Sequence, residues 1–258
     1  MANHVQSFDA ISNTMLTVTV REQERSFTSH LDVICGVSSY FTKRLKGRQD
    51  ANLNAITLDD VRPAVWITFL DWAYGRQTID DLYSADREFE EHRVHLTELY
   101  IFADKYDVPA LRQHIVDYFF VDLKAYQDEE ADTFWRPTPI PKCIELAFRS
   151  LSSTSPLCRL FVDRFCVNFL NNITDNDNQQ MFEREDLPLE FCMGVIHRHA
   201  HLRHAMIEGN MEVDYELNLG DYHEHGPDED ISKCSCQDTH DEDYYEESYY
   251  DGSYYDGF

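Results

Sequence analysis

The histidines and cysteines are the residues of this chain best suited to chemistry, and their spacing decides what chemistry is open to them. His197, His201 and His204 fall on one face of a helical stretch, and Cys234, Cys236 and His240 follow His223 and His225. Structural zinc takes four ligands in tetrahedral geometry, commonly paired as Cys-x-x-Cys and His-x-x-x-His. A Cys-x-Cys set among acids is a poor version of that pattern, so no metal ligand is assigned. His199 lies on the apolar stripe of the same stretch and reads as a core histidine with a hydrogen-bond partner.

Catalytic patterns fare no better. There is no Gly-rich phosphate loop, no Gly-x-Ser-x-Gly elbow and no His-Glu-x-x-His. Acid pairs such as Asp59 with Asp60 and Glu90 with Glu91 fall on polar stretches where carboxylates are ordinarily solvated. No catalytic or cofactor-binding residue is assigned, and the chain is read as a non-enzyme. The cysteines number seven. Cys35, Cys143, Cys158, Cys166 and Cys192 sit in apolar helical surroundings, where a free thiol behaves as a small hydrophobe. Reduced thiols are expected, hence cytoplasm or nucleus.

The 258 residues carry a net charge of −26 and are 43% hydrophobic, enough for a packed core. The charge is concentrated: from Glu208 onward there are 17 acidic residues and one basic residue, Lys233. Such a balance disfavours nucleic acid and anionic membrane surfaces, which are bound by Lys and Arg neutralising phosphates. The first residues lack a signal-like basic and apolar pattern, and no segment approaches the ~18 apolar residues of a membrane span. The basic run KRLKGR, Lys43 to Arg48, reads as a solvated helix end whose cations suit the C-terminal dipole rather than as an import signal.

The elements that must position any site follow from periodicity. Leu16, Val18 and Val20 alternate with Thr17 and Thr19, and Phe27 lies among small polar residues, predicting a strand pair from about Met15 to Ser29. After His30 the period lengthens: Leu31, Ile34 and Cys35 start a short helix, and Ser38 is placed to cap a second one containing Phe41 and Leu45. Ala55 to Leu58 is a third strand. Pro63 suits the first turn of a helix bearing Val65, Trp66, Phe69, Leu70 and Ala73. Between Gly75 and His95 the sequence reads as a polar surface loop with a helical turn. Helical spacing resumes with Leu96, Leu99, Tyr100, Ala103 and Tyr106, and Pro109 separates it from a helix with Leu111, Ile115, Val116 and Phe119.

These residues carry a resemblance. Phe27, His30, Val33, Ile34, Ser38 and Phe41 stand at the spacings of the BTB/POZ domain signature. Asp60, Pro63, Trp66, Phe69, Leu70 and Tyr74 resemble its next helix, and LYIFADKYDVPAL, with Leu99, Ala103, Tyr106, Pro109 and Leu111, resembles its most specific segment. The long polar insert before that segment is similar to BTB proteins of filamentous fungi. The resemblance implies an α+β BTB/POZ fold, a short three-stranded sheet capped by helical hairpins, followed by an all-α extension. It also implies adaptor or scaffold work through self-association as a homodimer or binding of a protein partner. Alternatives are a substrate adaptor of a cullin-3 ubiquitin ligase, or a metal-binding or enzymatic protein. Cullin-binding relatives carry a hydrophobic-x-Glu motif after the second short helix. Here Leu45 and Lys46, the candidate partner surface, are followed by Gly47 at the acidic position, so cullin-3 recruitment is expected to be weak or absent. The family's Asp at the head of the first strand is replaced by Thr14 or Met15.

The expected organisation is a lead-in over 1–12, the BTB/POZ domain over 13–126, a linker over 127–141, helices over 142–208, and a disordered acidic Tyr-rich tail over 209–258. The tail repeats SYYDG, and deleting Gly209 to Phe258 is expected to leave the thermal midpoint nearly unchanged. Phe27, His30, Ile34, Phe41, Leu70, Leu99, Ala103 and Leu111 are expected to be buried together.

Overall fold

A computed structural model describes residues 14–21, 24–46, 55–79, 89–123, 140–171, 187–207 and 217–224. Strand β1 (Met15–Val20) pairs antiparallel with β2 (Arg25–His30), Val18 facing Phe27. The turn between them closes without glycine: the Glu24 N–H donates to the Arg21 carbonyl at 3.1 Å, and Glu24 adopts φ 52°, a left-handed conformation that costs a non-glycine residue about 1–2 kcal/mol. The helical hairpin α1 (Leu31–Val37) and α2 (Ser39–Lys46) then carries the chain over, so that β3 (Ala55–Leu58) pairs parallel with β1 in the order β2-β1-β3. Leu16, Val18, Val20, Ile56 and Leu58 are buried on one face of that sheet.

Five longer helices complete the body: α3 (Pro63–Ala73), α4 (Phe89–Lys105), α5 (Pro109–Asp122), α6 (Pro141–Ser150) and α7 (Pro156–Asn171), with a sixth, α8 (Leu189–Ile207), closing it. Prolines open α3, α5, α6 and α7, where a missing N–H costs nothing. Ser155 caps α7 by accepting the Cys158 N–H at 3.4 Å. Helix α6 packs on α4, and α7 packs on α5 and α8. One hydrophobic cluster runs from Leu16 in the sheet to Val195 in α8, so the C-terminal helices extend the domain's own core.

Three expectations need correction. Ile34, Phe41, Leu99, Ala103 and Leu111 are fully buried, but Phe27, His30 and Leu70 are half-buried. Phe27 lies on the sheet's edge strand, and Leu70 is one position off the stripe of Val65, Trp66 and Phe69. Helix α4 starts at Phe89, well before Leu96, and buries His92, Arg93 and His95 from the stretch read as a surface loop. Finally, the expected tail contains ordered structure: Leu217 to Glu224, with a 3-10 turn at Leu219–Tyr222, lies against α5 and α7. The lead-in 1–12, most of the linker and the SYYDG repeats fall outside the described residues.

Candidate functional site

The signature residues form one clamp between the start of α2 and the end of α4. The Ser38 hydroxyl donates to the Tyr106 carbonyl at 2.5 Å and accepts the Phe41 N–H at 3.1 Å, so one side chain caps α2 and ties it to a residue 68 positions away. Ser39 donates to the Asp107 carboxylate, and Asp107 holds φ 49° at the break between α4 and α5. Phe41 stacks on Tyr106 at 5.2 Å and meets Trp66 edge-on at 6.2 Å. Lys105 pairs with Asp60, whose carboxyl it holds below the usual range. His30 is fixed by Tyr74, whose hydroxyl accepts the His30 backbone N–H at 2.8 Å and meets Nδ1 at 2.9 Å. Pro109 is exposed at the head of α5. These side chains organise the fold, and the structure brings them together for that purpose rather than around a cleft.

Leu45 is half-buried and packs against the core, while the Lys46 side chain and residues 47–54 lie outside the described ones. Of the acid pairs, Asp59 pairs with Arg21 at 2.9 Å, and Glu90 and Glu91 are exposed in the first turn of α4. His197 and His201 are exposed and His199 is half-buried, with burial pulling its pKa down. Among the described residues no three His, Cys, Asp or Glu side chains are grouped as ligands, and no helix is long and apolar enough to cross a membrane. The tail's Cys234, Cys236 and His240 lie outside them. Burial pushes the thiols of Cys143 and Cys166 up to about 12 and that of Cys158 up to about 11, which leaves them poor nucleophiles.

Two arrangements escaped sequence reasoning. Arg93, 2% exposed, donates through Nε to Asp122 at 2.7 Å across α4 and α5. Thr68 meets His95 Nε2 at 2.8 Å, and the His92 ring sits edge-on to Tyr118 at 5.5 Å. Counting His92 and His95 as apolar would have extended the Leu96 and Leu99 stripe back by a turn; nothing in the local sequence points Arg93 to Asp122.

The second arrangement is the strap 217–224 in the groove between α5 and α7. Tyr222 is buried, its hydroxyl donating to Asp163 at 2.6 Å and its ring lying against Phe120 and under Arg159. His223 Nε2 meets Asp117 at 2.6 Å, and Glu224 takes a bidentate grip on Arg112. Arg159 donates to the Asp221 carbonyl at 2.8 Å, and the Asn218 side chain accepts the Gly220 N–H. Burial alone would pull Arg112 down; the bonds to Glu224 more than offset it, and its pKa is raised. A cavity of about 160 Å³ remains beside the strap, lined in part by Tyr100, Gln113, Val116 and Pro156. The Tyr100 hydroxyl is buried with no hydrogen bond of normal geometry, and its pKa is raised by burial and by the nearby Glu224.

Burying a side chain of Tyr222's size stabilises by about 1.5–3 kcal/mol, and a chain of this length shifts by about 2–4 °C per kcal/mol. Deleting the chain from Gly209 onward is therefore expected to lower the thermal midpoint by roughly 3–12 °C. An unchanged midpoint in a calorimetric scan would show that strap docking contributes nothing net.

A three-stranded sheet closed by a helical hairpin, with its polar signature spent on internal ties, defines a domain that works through its outside. Residues 8–121 match the family model described as the BTB/POZ domain, somewhat under half of the chain. The chain thus contains a BTB/POZ domain, a protein-interaction fold, and α6 to α8 are built onto it. No curated protein matches the chain as a relative.

Proposed function

We propose that this chain is an adaptor or scaffold that acts in the cytoplasm or nucleus through BTB-mediated self-association or partner binding. The observation that supports it is the use made of the signature: Ser38, Phe41, Asp60, Tyr74 and Tyr106 all bind other parts of the same domain, leaving recognition to surface residues. Met15, at the head of the central strand, is 39% exposed and apolar there. The kinship with filamentous-fungal relatives rests on the polar insert after Gly75. Light scattering of the full chain tests self-association. A mass near twice 30.4 kDa is expected, with Met15→Glu moving it toward the monomer. A monomer at every concentration up to about 100 µM overturns the homodimer and leaves partner binding.

Cullin-3 recruitment is expected to be weak on this reading, because Leu45 is engaged with the chain's own core rather than projecting as an anchor. An apolar anchor supplies affinity, whereas a charged rim contact supplies mainly specificity and association rate. Sub-micromolar binding to a purified cullin-3 homologue that survives Leu45→Ala would overturn this.

A further inference from the structure

The groove between α5 and α7 reads four consecutive strap residues in distinct ways. Asp221 is held through its carbonyl by Arg159, Tyr222 through its hydroxyl by Asp163, His223 through Nε2 by Asp117, and Glu224 by Arg112. The pattern Asp-Tyr-x-Glu recurs once more in this chain, as Asp243-Tyr244-Tyr245-Glu246. We propose that the groove is a docking site for Asp-Tyr-x-Glu segments, with 221–224 its resident occupant and Asp243–Glu246 of the tail its alternative one.

The chemistry carries over position by position. At the first place the groove bonds a backbone carbonyl, which Asp243 supplies as Asp221 does. Tyr244 supplies the phenol for Asp163, and Glu246 supplies the carboxylate for Arg112. At the third place Tyr245 stands for His223, and a tyrosine hydroxyl can donate to the Asp117 carboxylate as the imidazole does. The two segments differ upstream. Gly220 is buried and Leu219 packs on the core, whereas the tail has Glu242 and Asp241 there. The resident segment is accordingly the tighter one, and the tail enters when the strap is weakened or outcompeted.

Photo-cross-linking in the full chain decides it, with p-benzoylphenylalanine replacing Ala110, an exposed residue on the groove's border. In the otherwise unchanged protein the adduct should map to 217–224. In Tyr222→Ala with Glu224→Ala that adduct should fall at least tenfold and one on 241–247 should take its place, within a chain or between two copies. Adding Asp243→Ala, Tyr244→Ala and Glu246→Ala should abolish it. Failure of the adduct to move to 241–247, or its persistence in the five-fold variant, overturns the proposal. If the strap variant does not fold, synthetic peptide Asp241–Glu247 is added at millimolar concentration to the unchanged chain carrying the cross-linker. A peptide adduct that grows as the 217–224 adduct declines, and that is lost when Tyr244 is phosphorylated and repelled by Asp163, supports it. No peptide adduct, or one indifferent to the phosphate, overturns it.

Discussion

Replacing Arg93 by Met is expected to destabilise the protein by about 3–5 kcal/mol at neutral pH, because it leaves the Asp122 carboxylate buried without its cation. The pair does not offset its own burial in full: desolvation holds the Asp122 carboxyl above the usual carboxylate range even with Arg93 beside it. The double variant Arg93→Met with Asp122→Leu should therefore recover much of the loss, since a well-packed apolar pair is often no worse than a buried ionic one. The pH dependence has a definite sign. A raised carboxyl pKa means that the native state binds the proton more tightly than the unfolded chain does. Its stabilising effect is fully present below the unfolded value and is lost as pH rises through the folded one. Removing Arg93 raises the folded value further, so the deficit of Arg93→Met relative to the parent should shrink on acidification toward about pH 5. Urea unfolding at the two pH values measures both effects. A deficit that is constant or grows toward acid would mean that Asp122 is not left charged and unpaired.

Phe41→Ala should be nearly as costly, about 3–5 kcal/mol, because the ring is fully buried, stacked on Tyr106 and edge-on to Trp66. Phe27→Ala, at an equally conspicuous signature position, should cost under about 1.5 kcal/mol. Its ring is half-buried on the edge strand beneath Arg25, and little cavity is left when it goes. Chemical denaturation of the two variants side by side checks the ranking. Equal losses would place Phe27 in the core after all, against its observed exposure.

The contrast between those two phenylalanines shows what was legible in the sequence. Periodicity and proline placement located β1, β2, β3 and the starts of α3, α5 and α7, because each depends on neighbours within one or two turns. Whether Phe27 is inside depends on which strand forms the sheet's edge, and alternation alone does not say so. Polarity misled the reading of residues 89–95. Arg93 and His95 are buried because Asp122 on α5 and Thr68 on α3 bond them, and His92 is buried with its ring edge-on to Tyr118 on α5. The strap was missed for a related reason. Its acidic surroundings suggested a solvated chain, while Tyr222 and Glu224 are matched by Asp163 and Arg112, the latter 112 positions from its partner.

That long separation has a consequence during synthesis. The groove is complete once α7, which ends at Asn171, has been made, and Glu224 follows about 50 residues later, roughly 3–10 s at ordinary elongation rates. Over that interval the nascent domain presents the strap's seat to the cell without the strap. The seat is open in that interval, and the native segment then enters it with the advantage of being tethered.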